Sequence, residues 1–213
     1  LSNLIEFFYT GNNPQTNQAV YSYRNISRAR TSGLECSIRL SHALNQKESE
    51  VITYAWGYQY LITRDLEVYD AVLAGRAGTI DPKTGTFRAL TAESYGGLWN
   101  RSAHSGTFRL GYEHTSLGIL ASMRAQFIGS FGDEALDMNG PVYNNRKVPD
   151  MDAEYVPGYT LLNVGLTKQF NIAPNAGRMH ITCSVNNVLN TMNLKSLPNL
   201  FGRQFALSFQ WIW

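Results

Sequence analysis

The chain has little charge, few cysteines and no long apolar run. Charged residues make up 16% of its 213 residues, against about 25% in ordinary soluble domains. The formal net charge is +2, which is too small to favour nucleic acid as a partner. No stretch of the sequence approaches 18 consecutive apolar residues, so a membrane-spanning helix is excluded.

The two cysteines do not indicate a disulfide-stabilised fold, and the first residues do not indicate a signal peptide. Cys36 and Cys183 lie far apart and define no disulfide framework, so two thiols that are buried or face lipid are the simpler interpretation. The opening residues, "LSNLIEFFYT", follow a strand pattern and not that of a signal peptide. We expect either that the mature protein starts here or that an N-terminal part is missing.

Signatures of catalysis and cofactor binding are missing as well. The four histidines lack metal-ligand spacing, and there is neither a G-x-S-x-G motif nor a phosphate loop. We therefore expect no enzyme, no resident metal and no cofactor. The stretch "PDMDAE" (149–154) offers oxygen ligands that suit Ca²⁺, although a solvated acidic loop is the simpler interpretation.

What the sequence has in abundance is alternation of apolar and polar residues, with a period of two that indicates strands. At the C-terminus, one side of the predicted strand carries Phe205, Leu207, Phe209, Trp211 and Trp213. The opposite side carries Gln204, Ala206, Ser208 and Gln210. Besides this last strand, the pattern predicts strands over 3–9, 19–25, 33–43, 51–63, 105–113, 118–130, 159–170 and 179–189, about nine in all, and no helix.

The predicted strands are long, and their connections differ in length. Many strands reach about ten residues, whereas ordinary strands have about 5–6 and membrane-barrel strands about 9–11. Short turns near one rim and long loops near the other are typical of outer-membrane barrels. If the last strand runs toward the periplasm, the short turns share the periplasmic rim, with the predicted connection 26–32 as an exception. The short turns are 11–17, 44–50, 114–117 and 171–178; the long loops are 64–102, 131–157 and 188–202.

The polar side of the strands suits the wall of a hydrated lumen, because it carries Ser, Thr, Asn, Gln and Arg but very little Lys. A charge ladder across neighbouring strands is expected there. Tyrosines and tryptophans near strand ends favour the aromatic girdles of a membrane barrel. A soluble sandwich or lipocalin-type barrel remains an alternative. The residues of the expected ladder are Glu35, Arg39, Arg109, Glu113 and Arg124.

Three stretches resemble TonB-dependent outer-membrane receptors. In "YRNISRARTSGLE" (23–35), the spacing of Asn25, Ala29, Gly33 and Glu35 is similar to a recurrent segment of the family. "SVNNVLN" (184–190) resembles the end of the penultimate strand, and "FGRQFALSFQWIW" resembles the closing strand. The resemblance implies that residues 1–213 are the C-terminal portion of the barrel domain, about the last nine strands of a 22-stranded antiparallel transmembrane β-barrel.

The resemblance also implies a function in the bacterial outer membrane: uptake of a large, scarce nutrient such as a ferric siderophore, haem or cobalamin. The expected partners are outer-membrane lipid, the nutrient, TonB (through a plug and a TonB-contacting segment that are not in this chain) and, in some branches, a surface lipoprotein. Aromatic and arginine side chains of the long loops suit such ligands. The candidate ligand-binding residues are Tyr95, Trp99, Arg101, Tyr143, Arg146 and Tyr155.

Two alternatives remain open at the level of sequence. One is a complete small outer-membrane β-barrel with an adhesin, enzymatic or structural role. The other is a soluble β-barrel that binds a small ligand. The sequence does not identify the nutrient.

Overall fold

The structure, a computed structural model, describes residues 2–81, 83–134, 140–152, 155–173, 177–194, 197 and 199–212. Trp213, which belongs to the predicted apolar face of the last strand, lies outside these residues. The elements are, in chain order, β1 (Ser2–Asn12), β2 (Ala19–Ala43), β3 (Glu50–Asp65), α1 (Leu66–Leu73), β4 (Gly78–Ile80), β5 (Phe87–Ala89), β6 (His104–His114), β7 (Ile119–Ile128), β8 (Phe131–Gly132), β9 (Val142–Tyr143), β10 (Arg146–Lys147), β11 (Tyr155–Val156), β12 (Tyr159–Ala173), β13 (Gly177–Asn186) and β14 (Gln204–Ile212).

The long strands form one eight-stranded sheet in the order β1-β2-β3-β6-β7-β12-β13-β14. Each strand neighbours the long strand that precedes it in the chain, and the pairings with a defined register are antiparallel. Short strands make two further sheets, β10-β9-β4-β5 and β11-β8. The all-β antiparallel class is therefore confirmed. Among the described residues, no helix is long and apolar enough to span a membrane.

The predicted break at 26–32 is wrong, because β2 runs through it without interruption from residue 19 to residue 43. The segment contains neither glycine nor proline, so nothing in it forces a turn, and Arg28 is paired with Ser2 of β1. Two predicted strands are thus one, and the main sheet has eight strands where nine were expected. Turn 11–17 precedes this strand and turn 44–50 follows it, so the two turns lie at opposite ends of the strand. Turn 11–17 therefore does not share the rim that was expected for the short turns.

The expectation of no helix is also wrong, because Leu66–Leu73 forms α1. Asp65 caps it: the side-chain Oδ1 accepts hydrogen bonds from the backbone N–H of Glu67 at 3.1 Å and of Val68 at 3.3 Å. The helix buries Val68, Ala71 and Val72, which follow the i, i+3, i+4 spacing of one helical face.

Register places the apolar residues of neighbouring strands on a common face. Cys183 of β13 lies opposite Leu207 of β14 and Leu166 of β12, and Leu166 lies opposite Ala121 of β7. Directly opposed residues share a face of the sheet. Phe205 is 77% exposed and Phe209 is 67% exposed, so this face is a broad apolar surface that the chain itself leaves uncovered.

The polar faces align in the same way. Gly111, Ser122, Gly165 and Ser184 form one row across β6, β7, β12 and β13, and the hydroxyls of Thr167 and Thr182 are hydrogen-bonded at 2.9 Å. Both cysteines are free and exposed, so they are not buried; Cys183 lies on the uncovered apolar face, opposite Leu207 and Leu166, as a thiol that faces lipid would.

The chain divides into two compact units. The first comprises residues 1–34, 60–104 and 129–158, and it contains the long loops with α1 and the short strands. Its core is a cluster of buried side chains: Val68, Ala71, Val72, Ala77, Leu90, Tyr95 and Val148.

Motif residues at the start of the chain pack within this first unit. Ala29 is buried against Leu98. A Cβ atom on Gly33 would lie 2.0 Å from the carbonyl oxygen of Tyr60, so only glycine fits beside that backbone. The small residues of the motif therefore permit close packing.

The second unit comprises residues 35–59, 105–128 and 159–213, and it consists of strands, tight turns and the loop after β13. Asn187 organises that loop: its side chain donates to the carbonyl oxygens of Thr191 and Phe201, both at 2.8 Å. Asn190 accepts from the N–H of Arg203 at 2.9 Å. Both asparagines have a positive φ, 52° and 54°, which asparagine tolerates better than most residues. Asn187 and Asn190 of the "SVNNVLN" stretch therefore hold the loop that leads into the last strand.

Candidate functional site

The loops of the first unit enclose a cavity of about 390 Å³. It lies where the end of β3, the segment after α1 and the residues before β6 come together. Its described lining is rich in tyrosine and contains two arginines and a histidine, but no carboxylate. The ring-bearing and charged lining residues are Tyr60, Arg64, Tyr69, Tyr95, Arg101, His104 and Tyr155.

In one wall of the cavity, the guanidinium group of Arg64 lies over the ring of Tyr69, which in turn contacts the ring of Tyr95. The guanidinium carbon of Arg64 lies 4.2 Å from the ring centroid of Tyr69, within the range of a cation–π interaction. The ring of Tyr69 in turn lies 5.4 Å from that of Tyr95. These contacts hold the positive charge of Arg64 at the cavity wall without neutralising it.

The hydroxyl groups of two tyrosines anchor this wall to the backbone. Tyr95 is buried, and its hydroxyl oxygen accepts from the N–H of Asp65 at 3.1 Å. Tyr155 donates to the carbonyl oxygen of Gly96 at 3.0 Å. Burial, together with the negative charge of Asp150, raises the pKa of Tyr155 to about 12. The shift extends the pH range over which the phenol keeps its proton and its hydrogen bond to Gly96.

The other wall pairs Tyr60 with His104, whose rings stack at 5.0 Å. Arg101 is exposed and also lines the cavity. Two arginines without a carboxylate in the lining make the cavity electropositive, and the tyrosines supply flat surfaces for stacking. Such an arrangement can bind an anion that carries aromatic rings.

The structure brings three of the six sequence-predicted residues together in this cavity: Tyr95, Arg101 and Tyr155. The other three are not among its lining residues. Trp99 is buried. Its ring packs so closely on Gly132 that a Cβ atom at that position would lie 2.9 Å from the ring. Tyr143 packs against the core cluster of the first unit.

Arg146 is held in an ion-pair network at the start of α1. One of its nitrogens binds the buried carboxylate of Asp65, and another lies 3.7 Å from that of Glu67. The pairing ties the β9–β10 hairpin to the helix N-terminus. In the structure, this arginine contacts the helix cap and not the cavity.

Sequence analysis did not select Tyr60, Arg64 or Tyr69 as candidate ligand-binding residues. Arg64 directly precedes Asp65, and Tyr69 lies four residues after it. In "DLEVYDAV" (65–72), an aspartate that can cap a helix is followed by apolar residues at helical spacing, and this pattern was the available signal for a helix. Tyr60 is one of the tyrosines near strand ends that favour an aromatic girdle. The stacking of Tyr60 on His104 joins residues 44 positions apart, which no local pattern indicates.

The acidic stretch 149–154 lies partly outside the described residues, since 153 and 154 are not among them. Asp152 accepts from the hydroxyl of Ser94 at 2.6 Å, and Asp150 accepts from the N–H of Asp152 at 2.9 Å. Within the described part of the chain, no three His, Cys, Asp or Glu side chains are grouped so that they could hold a metal ion.

The expected charge ladder is not formed in the second unit. Arg109 lies directly opposite Arg124, so like charges face each other. Glu113 is four residues along β6 from Arg109, roughly 13 Å at the usual rise of a strand. No ion pair joins the described members of this set, because strand register, not charge, decides which side chains meet.

Comparisons with known proteins agree with this architecture. A family model described as TonB dependent receptor-like, beta-barrel matches residues 1–188. Among solved structures, the chain is similar to a mutant of the ferric enterobactin receptor from Pseudomonas aeruginosa, with a TM-score of 0.51 and 15% sequence identity; the match covers 98% of this chain. It covers 27% of that receptor, so this chain spans about a quarter of its length.

At 15% identity, the structural likeness shows the fold alone. No curated protein sequence matches the chain. The family match takes in most of the chain. The chain therefore belongs to the family of TonB-dependent receptor-like β-barrels.

Proposed function

We propose that this chain is part of an outer-membrane receptor that takes up a large, scarce nutrient with the help of TonB. We further propose that the nutrient is anionic and carries aromatic rings, as a ferric siderophore can. The observation behind this proposal is the cavity of the first unit, with two arginines, four tyrosines and no carboxylate in its described lining.

The chemistry of the lining supports this ligand class. Guanidinium groups bind oxyanions through paired, charge-assisted hydrogen bonds, and tyrosine rings stack on flat ligands at little entropic cost. Haem also carries carboxylates and a flat aromatic ring system, whereas cobalamin is not an anion, and the experiment below separates the three ligands.

The proposed mechanism begins with capture of the nutrient by the loops. A plug domain outside this chain would then rearrange under the pull of TonB from the periplasm. The apolar face of the sheet would contact outer-membrane lipid, and a surface lipoprotein could cap the loops. This is a transport function without a chemical reaction.

The experiment uses the full-length receptor in detergent and measures binding of a ferric tricatecholate, haem and cyanocobalamin. Arg101→Gln should weaken binding of the ferric tricatecholate about tenfold, because a charge-assisted hydrogen bond contributes about 1.5–3 kcal/mol. Arg88→Gln is the matched control, since Arg88 is exposed in β5 of the same unit but does not line the cavity.

Three results would overturn the proposal. One is binding that Arg88→Gln weakens as much as Arg101→Gln does. Another is a receptor that binds none of the three ligands, or that binds only cyanocobalamin, which carries no net charge. A third is a native protein that is soluble without detergent, which would support the soluble-barrel alternative.

A further inference from the structure

A lysine interrupts the apolar face of the sheet in the second unit. Lys168 of β12 lies directly opposite Ile119 of β7 and Ile181 of β13. It stands two residues from Leu166, and residues two apart on a strand share a face. A positive charge on a surface that contacts lipid is costly unless it reaches the headgroups at the edge of the bilayer.

The ammonium group of Lys168 is turned toward the end of the sheet. Its Nζ atom donates a hydrogen bond to the carbonyl oxygen of Leu117, in the turn between β6 and β7. The same atom lies 5.6 Å from the ring centroid of Phe170, within the range of a cation–π interaction. The side chain therefore places its charge at the rim and its methylene groups along the apolar surface.

This ammonium group keeps donors that the chain does not use. A lysine has three N–H donors, and the contact with Leu117 takes one of them. Among the described residues, no carboxylate forms an ion pair with Lys168. The lysine lies on the face opposite to the polar one, and β12 is paired along both edges within this chain. Neither a plug inside the barrel nor a further strand therefore supplies the partner.

A furrow on the same face begins beside Lys168. Its volume is about 580 Å³, within the range of small-molecule sites, about 300–1,000 Å³. Strand register explains its shape, because the small side chain of Cys183 lies between the larger ones of Leu166 and Leu207. The side chains that line this Cys183 furrow from the apolar face are Val164, Leu166, Cys183, Val185, Phe205 and Leu207.

The furrow has the length of part of an acyl chain. From Lys168 to Val164, at its far end, β12 advances by four residues, about 13 Å at the usual rise of a strand. At a strand tilt of about 45°, this is about 9 Å of depth, within one leaflet whose hydrocarbon is about 15 Å thick. A ligand that fits both features has a phosphate at one end and an apolar chain behind it, which is the chemistry of a phospholipid.

We propose that Lys168 and the Cys183 furrow bind one phospholipid, with its phosphate on the ammonium group and an acyl chain in the furrow. Such a site differs from general contact of the apolar face with lipid, because it requires a phosphate and has one place on the sheet. The inference rests on the membrane location that belongs to the proposed function, but not on the nutrient or the capture site.

The test is photo-cross-linking of the purified full-length receptor, washed free of lipid in a non-ionic detergent. The probe is phosphatidylglycerol that carries a diazirine in one acyl chain, and peptide mass spectrometry locates the label. In the wild type, the label should concentrate on residues 183–185 and 205–207. Lys168→Gln should reduce this labelling about fivefold, since a basic residue near a membrane surface contributes about that factor. Lys168→Arg should keep it.

Two matched controls separate the charge from the furrow. Lys47 is exposed in the turn before β3 of the same unit and does not line the furrow, so Lys47→Gln should leave the labelling unchanged. Cys183→Phe fills the furrow and should reduce labelling of 205–207. Cys36→Phe should not, because Cys36 is an exposed thiol of β2 outside the furrow. Folding of each variant is checked by its heat-modifiable mobility on a gel, and only folded variants are compared.

Four results would overturn the proposal. One is label spread evenly over the apolar face. Another is equal labelling by a diacylglycerol that carries the same diazirine chain but no phosphate. A third is labelling that Lys168→Gln leaves unchanged or that Lys47→Gln reduces as much. The fourth is labelling of 205–207 that Cys183→Phe affects no more than Cys36→Phe does.

Failure of the transport function is distinguishable from failure of this site. If Arg101→Gln leaves capture of the ferric tricatecholate unchanged but Lys168→Gln reduces the labelling, the capture proposal fails and the phospholipid site stands. A native protein that is soluble without detergent would overturn both.

Discussion

Asp65 links the N-terminus of α1 to the β9–β10 hairpin in the first unit. It is 4% exposed, it caps α1 through two backbone N–H groups, and it pairs with Arg146. We predict that Asp65→Ala locally unfolds α1 and the β9–β10 hairpin while the long strands stay folded.

The magnitude follows from the two contacts. Loss of the helix cap costs about 1 kcal/mol. Removing one partner of a buried ion pair costs about 3–5 kcal/mol, and the lower end applies because the side chain of Arg146 is 24% exposed and keeps its contact with Glu67 at 3.7 Å. The total of about 4 kcal/mol corresponds to a nearly 10³-fold rise in local opening, at about 1.4 kcal/mol per factor of ten. Asp65→Asn keeps a capping side chain, so it should cost about 3 kcal/mol, a little over 10²-fold.

The assay is amide hydrogen exchange of the full-length receptor in detergent, followed on peptides that cover residues 66–73 and 142–148. Asp70→Asn is the control, since Asp70 is an exposed carboxylate in the same helix and its substitution should change exchange by less than about threefold.

Two outcomes would refute the reasoning. If Asp65→Asn exchanges like the wild type, the pair with Arg146 contributes nothing to local stability. If Asp65→Asn and Asp65→Ala exchange alike, the cap contributes nothing.

Three further predictions concern other parts of the molecule. Leu207→Lys, on the uncovered apolar face, should destabilise the membrane-inserted receptor by about 2–4 kcal/mol in urea unfolding from vesicles, whereas Ser208→Lys on the opposite face should have little effect; equal effects would contradict the assignment of faces. Gly33→Ala should prevent assembly of a heat-modifiable barrel, because its Cβ would lie 2.0 Å from the carbonyl oxygen of Tyr60, while Gly57→Ala, whose nearest contact is 3.3 Å, should assemble; normal assembly of Gly33→Ala would refute the close approach. Tyr155 should contribute its full stability below pH 10.0, its ordinary pKa, and this contribution should decline as the pH rises toward about 12. Tyr155→Phe should therefore reduce the loss of hydrogen-exchange protection near Gly96 at alkaline pH. An unchanged pH profile would count against this.

Local patterns in the sequence predicted much of the sheet. The alternation over 159–170 and 204–210 depends only on which face of a strand is apolar, and β12 and β14 confirm it. Apolar and polar faces can be read from one strand at a time because the side-chain period of a strand is two. Asn187 and Asn190 lie in the stretch 184–190, which was noted for its resemblance to the family, and the hydrogen bonds that they make in the loop came from the structure.

Errors arose where local signals were weak or in competition. Polar residues at 26–32 suggested a turn, but pairing with β1 continues the strand through them as far as Arg28. The helix α1 has only eight residues, and a helix that short draws its stability from tertiary packing, here the buried side chains of the first unit.

The sequence by itself determined the strand faces, the family and the kinds of residue that line the sites. Only the tertiary structure decided which of those residues meet. Arg101 and Tyr155 line a cavity, while Arg146 is held by Asp65. Arg109 faces Arg124 instead of an acidic partner. Strand register and loop packing are collective properties of distant segments, and a shift by one residue would change every such neighbour.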